Sequence, residues 1–329
     1  MTDPRSRRLV DAAVGERWVI RARLPDGSAT DLVGWLEVLD PITLQLVTAD
    51  GTLHGVERST IIAARRAPAA AGARDPHRIS TAELERRALP GWLALHEPLG
   101  EWTLRAAGGF TGRANSCLAV GDPGVPIEQA AARVVGFARD NDIAPMAQVV
   151  TGSAEDAALR ALGWVDTYVP TDVLAVRLVD LIAEPPERAI RVAETLDGSW
   201  WDAYQRSRPN TADPALLRMI LDGYPPRAFA SATDDGEDVP FAIARGHLSG
   251  DWLGVASIWT REDRRRQGWA TAMLNALGHW AARRGARYGY LQVASANTSA
   301  IAAYERLGFI RHHRYHYLAP SAGEGVPSR

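Results

Sequence analysis

The sequence has a single cysteine, Cys117, in 329 residues and no lysine, so all 37 residues of the Lys+Arg total are arginine. One thiol excludes an intrachain disulfide and a cysteine-based zinc cluster. Without lysine there is no pyridoxal Schiff base, no Walker-type phosphate loop and no kinase-type lysine, so phosphoryl transfer and most pyridoxal chemistry drop out. No apolar run approaches the ~18 residues of a membrane helix. The basic stretch at residues 1–8 is not followed by the apolar core of an export signal. With a lone thiol, the expected compartment is the cytoplasm. A formal net charge of −2 gives no reason to expect a nucleic-acid partner. Arginine, alanine, glycine and proline without lysine read as genomic base bias. The arginines therefore count as background unless their spacing argues otherwise.

The length allows two or three domains. Residues 12–66 read as short strands: 18–24, 31–39, 42–48 and one near Ile61. The turns Pro25-Asp26-Gly27-Ser28 and Ala49-Asp50-Gly51-Thr52 separate some of them. The expectation is a small β-barrel over residues 1–68, resembling an SH3-like barrel. Residues 1–70 hold nine arginines and nine acids, which favours a structural or docking module over a phosphate-backbone binder. Residues 67–78 have linker composition, and 321–329 are small and polar, as in a disordered tail.

Between linker and tail lies an internal repeat. Gln148-Val149 and Gln292-Val293 stand 144 residues apart. Each ends a predicted strand and is followed by a helix closing in Leu-Gly-aromatic, at Leu162-Gly163-Trp164 and Leu307-Gly308-Phe309. At the same separation Gly124 falls on Gly268, and each opens a predicted helix. Two copies of one α/β unit account for this, over residues 79–185 and 186–320.

In the second copy strands are predicted at 189–194, 228–233, 240–248, 252–260, 288–293 and 312–318. Helices are predicted at 199–207, from Pro214 to Gly223, at 269–284 and at 298–307. Ser199 and Asp202 stand in capping-box positions, and Asp213-Pro214 gives an N-cap with proline at N1. The loop Arg261-Glu-Asp-Arg-Arg-Arg-Gln-Gly-Trp-Ala270 enters an amphipathic helix. Residues 260–290 carry seven arginines against two acids. Free backbone N–H groups and a partial positive charge at that helix start would suit a pyrophosphate. Taken alone, the loop reads better as a solvated basic turn, because arginine is everywhere in this chain.

The order of motifs decides between these. Arg265-x-x-Gly268-x-Ala270 resembles the Arg/Gln-x-x-Gly-x-Gly/Ala motif of the GCN5-related N-acetyltransferases (GNATs). Leu291-Gln-Val, Asn297, Ala300, Tyr304 and Gly308-Phe309 resemble that family's second signature. The resemblance covers residues 188–318 well and 79–185 more faintly, in a tandem arrangement. It implies a mixed α/β fold of two GNAT-like domains behind the barrel. It implies direct acetyl transfer from acetyl-CoA to an amine, without an acyl-enzyme. Arg265, Arg266, Gln267, Gly268, Trp269 and Ala270 would hold the pyrophosphate of coenzyme A. The strand carrying Ser257, Ile258, Trp259 and Thr260 would splay from 288–293 to admit the pantetheine, with a backbone N–H such as that of Trp259 polarising the acetyl carbonyl. Tyr304 would be the general acid. Asn297 would combine an N-cap with a place near the cofactor.

A general base is harder to assign. Asp251, Glu262, Asp263, His247 and the run His312-His313-Arg314-Tyr315-His316 each offer a candidate, and an amine entering neutral needs none. The histidines have no cysteine or carboxylate beside them in sequence, so no metal site is expected. In the first copy Gly121 replaces Arg265, Asp122 puts an acid in the loop and Leu159 replaces Tyr304. That copy is expected to be degenerate and to shape the other's acceptor cleft. The segment 105–115 either lines a ligand cleft or is a long loop. Trp200, Trp201, Tyr204 and Tyr224 make either an aromatic wall or core. The alternative to an enzyme is a coenzyme-A-binding regulatory protein. The amine acceptor is not legible, and the chain is expected to be a monomer or homodimer.

Overall fold

A computed structural model describes residues 12, 16–48, 53–67, 76–183, 188–208 and 213–321. The expected turn at 49–52, most of the linker and the tail beyond Ser321 lie outside the described residues.

Five strands form the N-terminal unit: β1 (Arg17–Arg23), β2 (Ala29–Leu39), β3 (Thr43–Thr48), β4 (Leu53–Glu57) and β5 (Ile61–Arg66). They pair antiparallel in the order β4-β3-β2-β1-β5. Alternate residues of β1, Trp18, Ile20 and Ala22, face a core completed by Leu36, Leu44, Leu46, Val56 and Ala64. Gly27 takes φ 85° in the first turn, where the Asp26 carboxylate accepts from the Ser28 N–H. β4 has no counterpart among the expected strands, because in Leu53-His-Gly-Val-Glu only Val56 is buried and no period-two signal survives.

The remaining strands build one sheet. The first half supplies β6 (Leu95–Leu99), β7 (Trp102–Ala106), β8 (Cys117–Leu118), β9 (Ala147–Val150), β10 (Trp164–Asp166) and β11 (Thr171–Arg177). The second half supplies β12 (Arg191–Ala193), β13 (Arg227–Ala232), β14 (Ala242–Ser249), β15 (Trp252–Thr260), β16 (Tyr288–Ala294) and β17 (Ile310–Pro320). Their order is β12-β13-β14-β15-β16-β11-β17-β9-β8-β7-β6, with β10 on β17. From either end the sheet runs antiparallel until one parallel pair, β8 with β9 and β15 with β16. In the middle the halves trade strands. β11 lies on β16, β17 lies on β9, and the two traded strands pair with each other.

Eight helices accompany these strands among the described residues: α1 (Thr81–Ala88), α2 (Ile127–Asp140), α3 (Ala154–Ala161), α4 (Leu178–Leu181), α5 (Gly198–Ser207), α6 (Pro214–Asp222), α7 (Trp269–Ala282) and α8 (Thr298–Arg306). The apolar stripe of α7, with Met273, Leu274, Leu277 and Trp280, packs on Leu253, Val255, Leu291 and Val293. Burying each leucine there contributes roughly 1.5–3 kcal/mol.

Two helix starts differ from expectation. The N-cap of α5 is Asp197, which accepts from the Trp200 N–H at 2.9 Å, while Ser199 donates its hydroxyl to the same carboxylate. A carboxylate suits the positive end of a helix better than a hydroxyl. α2 begins at Ile127 behind Pro126, because Gly124 at φ 73° belongs to the preceding turn. The Asp213 N-cap of α6 is as expected. No helix among the described residues is long and apolar enough to cross a membrane.

Candidate active site

β15 and β16 are hydrogen-bonded in parallel only from Trp252↔Tyr288 to Val255↔Leu291. Beyond that pair they part. Val255, Ala256, Ser257 and Ile258 line one wall of a cleft of about 490 Å³, and Leu291 to Ala294 line the other. A bulge opens the gap. Ile243 faces Trp259 and Arg245 faces Ala256, so Ser257 and Ile258 share the place opposite Ala244. Ser257 adopts φ 55°, uncommon for a residue with a side chain. Trp259 stays in register and does not line the cleft. It packs beside Trp200, Tyr204 and Phe229. The backbone that leaves the ladder belongs to Ser257 and Ile258.

On the α8 side of the cleft stand Asn297, Ala300 and Tyr304. The Asn297 carboxamide caps α8, accepting from the Ala300 N–H at 3.2 Å. Tyr304 packs on Phe309, which the left-handed Gly308 (φ 86°) turns back onto the helix. Burial pushes the Tyr304 phenol above its ordinary value, against a smaller downward pull from Arg208. It therefore holds its proton at neutral pH.

α7 starts one loop away. Its N-cap is Gly268 at φ 83°, which offers no side chain to its own helix start. A Cβ on Gly268 would meet no atom within 4 Å, so space in front of this backbone is open. Arg266 is also left-handed, at φ 59°. Arg261 and Arg264 are held by Asp234, Glu237 and Asp263, which ties the loop to the β13–β14 hairpin. The exposed Arg265 and Arg266 pair with no carboxylate among the described residues. Arg265 donates to the Thr260 carbonyl and Gln267 to that of Asp263. Arg188 donates to the Gln267 carbonyl and lies over the Trp269 ring at 4.3 Å. Ala270 is exposed on the first turn of α7.

The corresponding first-half loop is closed by carboxylates of its own half. The N–H groups of Gly121, Asp122 and Gly124 donate to the carboxylates of Glu155, Glu101 and Asp122, each at 2.8 Å. Leu159 is fully buried in the core beneath β9.

The base candidates separate clearly. Asp251 pairs with Arg87, and Asp263 with Arg261. Glu262 is exposed and does not line the cleft. His313 and His316 are buried against Glu85 and Asp156 at 2.8 and 3.1 Å, carboxylate partners from distant sequence. Among the described residues no cluster could hold a metal ion. His247 accepts from or donates to the Tyr290 hydroxyl at 2.8 Å behind the cleft. Burial, helped by Arg245, pushes its imidazole down to about 3, too weak for a base. A folded-state value below the unfolded one means stability is complete above the ordinary value of 6.5 and falls as pH drops below it. Between pH 7 and pH 5 the protein is expected to lose about 2 kcal/mol at this site. Urea unfolding at both pH values should show that loss diminished in His247→Gln.

The far side of the cleft comes from the first half and from β17, and of the first half only the 105–115 loop is suggested by the sequence. Thr111, Gly112 and Arg113 enter from that loop, which Asn115 fixes by accepting from the N–H groups of Ala107 and Gly109. Tyr168 and Val169 enter from the turn before β11, and Tyr315 and Tyr317 from β17. Period-two alternation places Tyr315 and Tyr317 on one face. No local signal tells that β17 lies beside β11. Trp200, Trp201 and Tyr204 are core, and Tyr224 is exposed.

A parallel pair that parts at a bulge, a glycine-led helix start beside it and a half-buried phenol opposite define an N-acetyltransferase of the GNAT type. Solved structures agree on the fold. A GCN5-related N-acetyltransferase from Kribbella flavida matches with a TM-score of 0.55 at 18% identity, over 74% of this chain and 96% of that one. A tandem GNAT protein from the clavulanic acid biosynthesis pathway matches with a TM-score of 0.50 at 15% identity, over 64% and 76%. The chain belongs to the family described as probable histone acetyltransferase Rv0428c, whose C-terminal model matches residues 81–318. Residues 12–65 match the same family's N-terminal domain, described as Sm-like, where an SH3-like barrel was expected. The Mycobacterium tuberculosis protein "Probable histone acetyltransferase Rv0428c" is 28% identical over 94% of this chain and 97% of its own length.

Proposed function

We propose that the chain transfers an acetyl group from acetyl-CoA directly to a primary amine in the cleft between β15 and β16. The observation that carries this reading is the parting of those strands after Val255 and Leu291, with unpaired backbone on both walls. Acetyl-CoA supplies the activated acetyl group. The open Gly268 backbone at the start of α7, with Arg265 and Arg266, suits its pyrophosphate. The backbone of Ser257 and Ile258 suits an extended chain and a carbonyl oxygen. Tyr304 donates the proton that the departing sulfur needs, and the acceptor nitrogen releases one to solvent. The single thiol supports direct transfer, since burial pushes Cys117 up to about 12 and removes it as a nucleophile.

Residues 79–185 act as a degenerate second copy of the same unit. Their loop is occupied by its own carboxylates, and their Tyr304 equivalent is leucine. The relative's name carries a histone acceptor, and a lysine side chain is one primary amine among several. The test is calorimetry with acetyl-CoA followed by thiol release on a panel of amines. Binding with amine-dependent thiol release supports the reading. No binding of either acetyl-CoA or coenzyme A would remove it, and binding without turnover would favour the regulatory alternative.

A further inference from the structure

Side chains alternate across a strand, and this divides the cleft. Leu291 and Val293 face the α7 layer, on the side that carries Asn297 and Tyr304. Gln292 faces the other side, with Thr171 of β11 and Tyr315 of β17, which stand opposite each other across that pair. The start of α7 belongs to the first side, so the second is the acceptor's.

Tyrosines wall the acceptor's side. The buried Tyr315 meets Tyr317 with ring centroids 5.6 Å apart and planes at 88°, and Tyr317 meets Tyr168 at 5.7 Å and 74°. Gly112 lets the 105–115 loop lie close against the Tyr317 ring, where a Cβ would stand 3.0 Å away. Arg113 beside it donates to the Tyr315 hydroxyl at 3.3 Å and to Gln292 Oε1 at 3.1 Å, and lies over the Trp92 ring at 4.3 Å. These contacts fix the inner rings. The series ends at the mouth of the cleft in Tyr168, 61% exposed, next to Val169, 56% exposed. An aromatic ring left open on the lip of a cleft is apolar area for a ligand to cover. No aspartate or glutamate among the described residues lines the cleft, and Arg113 does, so the lining attracts no second positive charge.

Resting on the acetyltransferase reading above, we infer that the acceptor is a small monoamine carrying an aromatic ring, with the ring against Tyr168, Val169 and Tyr317 and the amine directed toward the gap between β15 and β16. Aromatic pairs prefer edge-to-face or offset arrangements with centroids ~4.5–7 Å apart, so a ligand ring there continues the series. Seating the ring also sets the direction from which the nitrogen reaches the acetyl carbonyl. The amide C–N bond forms as the thioester C–S bond breaks. The nitrogen loses one proton to solvent, and the sulfur takes that of Tyr304. A polyamine or a lysine-rich peptide brings further positive charge that the lining does not pair.

The test compares matched acceptors with acetyl-CoA. Benzylamine, phenethylamine and phenylpropylamine are each set against the amine with the same ring saturated, which keeps the bulk and removes the π face. Hexylamine, putrescine, glucosamine and a lysine-rich peptide complete the panel. At least one aromatic amine is expected to exceed its saturated counterpart by about twofold to tenfold in kcat/KM, the worth of an aromatic pair beyond its area. In Tyr168→Leu, which keeps apolar area at the lip, that preference should disappear through KM of the amine, with KM for acetyl-CoA unchanged. Tyr168→Phe should retain it. Tyr168 is exposed in the turn before β11, so these variants should keep the wild-type fold, which circular dichroism checks. The inference is overturned if no aromatic amine outperforms its saturated counterpart, if putrescine, glucosamine or the lysine-rich peptide is the better acceptor, or if the preference survives in Tyr168→Leu. Turnover of another amine overturns the inference alone and leaves the acetyltransferase reading standing, whereas failure of acetyl-CoA to bind removes both.

Discussion

Replacing Tyr304 with phenylalanine is expected to lower kcat by ~10²–10⁴, the usual worth of a positioned general acid. Acetyl-CoA binding should be unchanged. The phenyl ring keeps the contacts with Phe309, Ala300 and Leu307, so the loss is chemical and not a collapse of α8. The pH profile supplies an independent check. The protonated phenol is the active form, and burial raises its folded-state value above the ordinary 10.0. Activity dependent on Tyr304 therefore persists through neutral pH and falls only as pH rises through that raised value. In Tyr304→Phe this alkaline limb should vanish. A variant with undiminished kcat, or with the limb intact, would take the acid role away from Tyr304.

Gly268→Val should act on the binding of the acetyl donor. The residue holds φ 83° with no atom within 4 Å of where a Cβ would stand, so substitution meets backbone strain but no clash with the protein. That strain is roughly 1–2 kcal/mol for a left-handed L-residue. The greater cost falls on the ligand, because the branched side chain fills the space in front of the helix start. Losing one or two charge-assisted hydrogen bonds there should weaken acetyl-CoA binding by about tenfold to a hundredfold. Titration calorimetry measures it. Amino-group specificity should not change, because the acceptor side of the cleft is built elsewhere. Unaltered affinity would mean that the pyrophosphate is held somewhere other than the start of α7.

The half of the site on α7 and α8 is legible in the sequence because its information is local. Gly268 before an apolar stripe marks a helix start, Asn297 before Thr298 marks a cap, and the spacing to Gly308 fixes Tyr304 on the inner face. The bulge is less legible. Ser257 is a common strand residue, and its φ of 55° follows from the register between β14 and β15, which no local pattern encodes. The backbone exposed to the cleft is consequently that of Ser257 and Ile258, where the sequence points to Trp259. His313 and His316 lack nearby carboxylates in sequence and find them on α1 and α3. Arg113 is the hardest to see. In a chain where every basic residue is arginine, one more arginine in a glycine-rich loop carries no signal until Trp92, Gln292 and Tyr315 gather around it.

The exchange of β11 for β17 also bears on biosynthesis. β9 is synthesised well before its neighbour, and its free edge must stay uncovered until residues near 315–318 leave the ribosome. The first half thus remains an open-edged nascent chain while the second half is synthesised, with few means of closing its own sheet. Expressed separately, either half should present that bare edge to other copies and precipitate or pair with them. Supplying the two pieces together should let them reassemble.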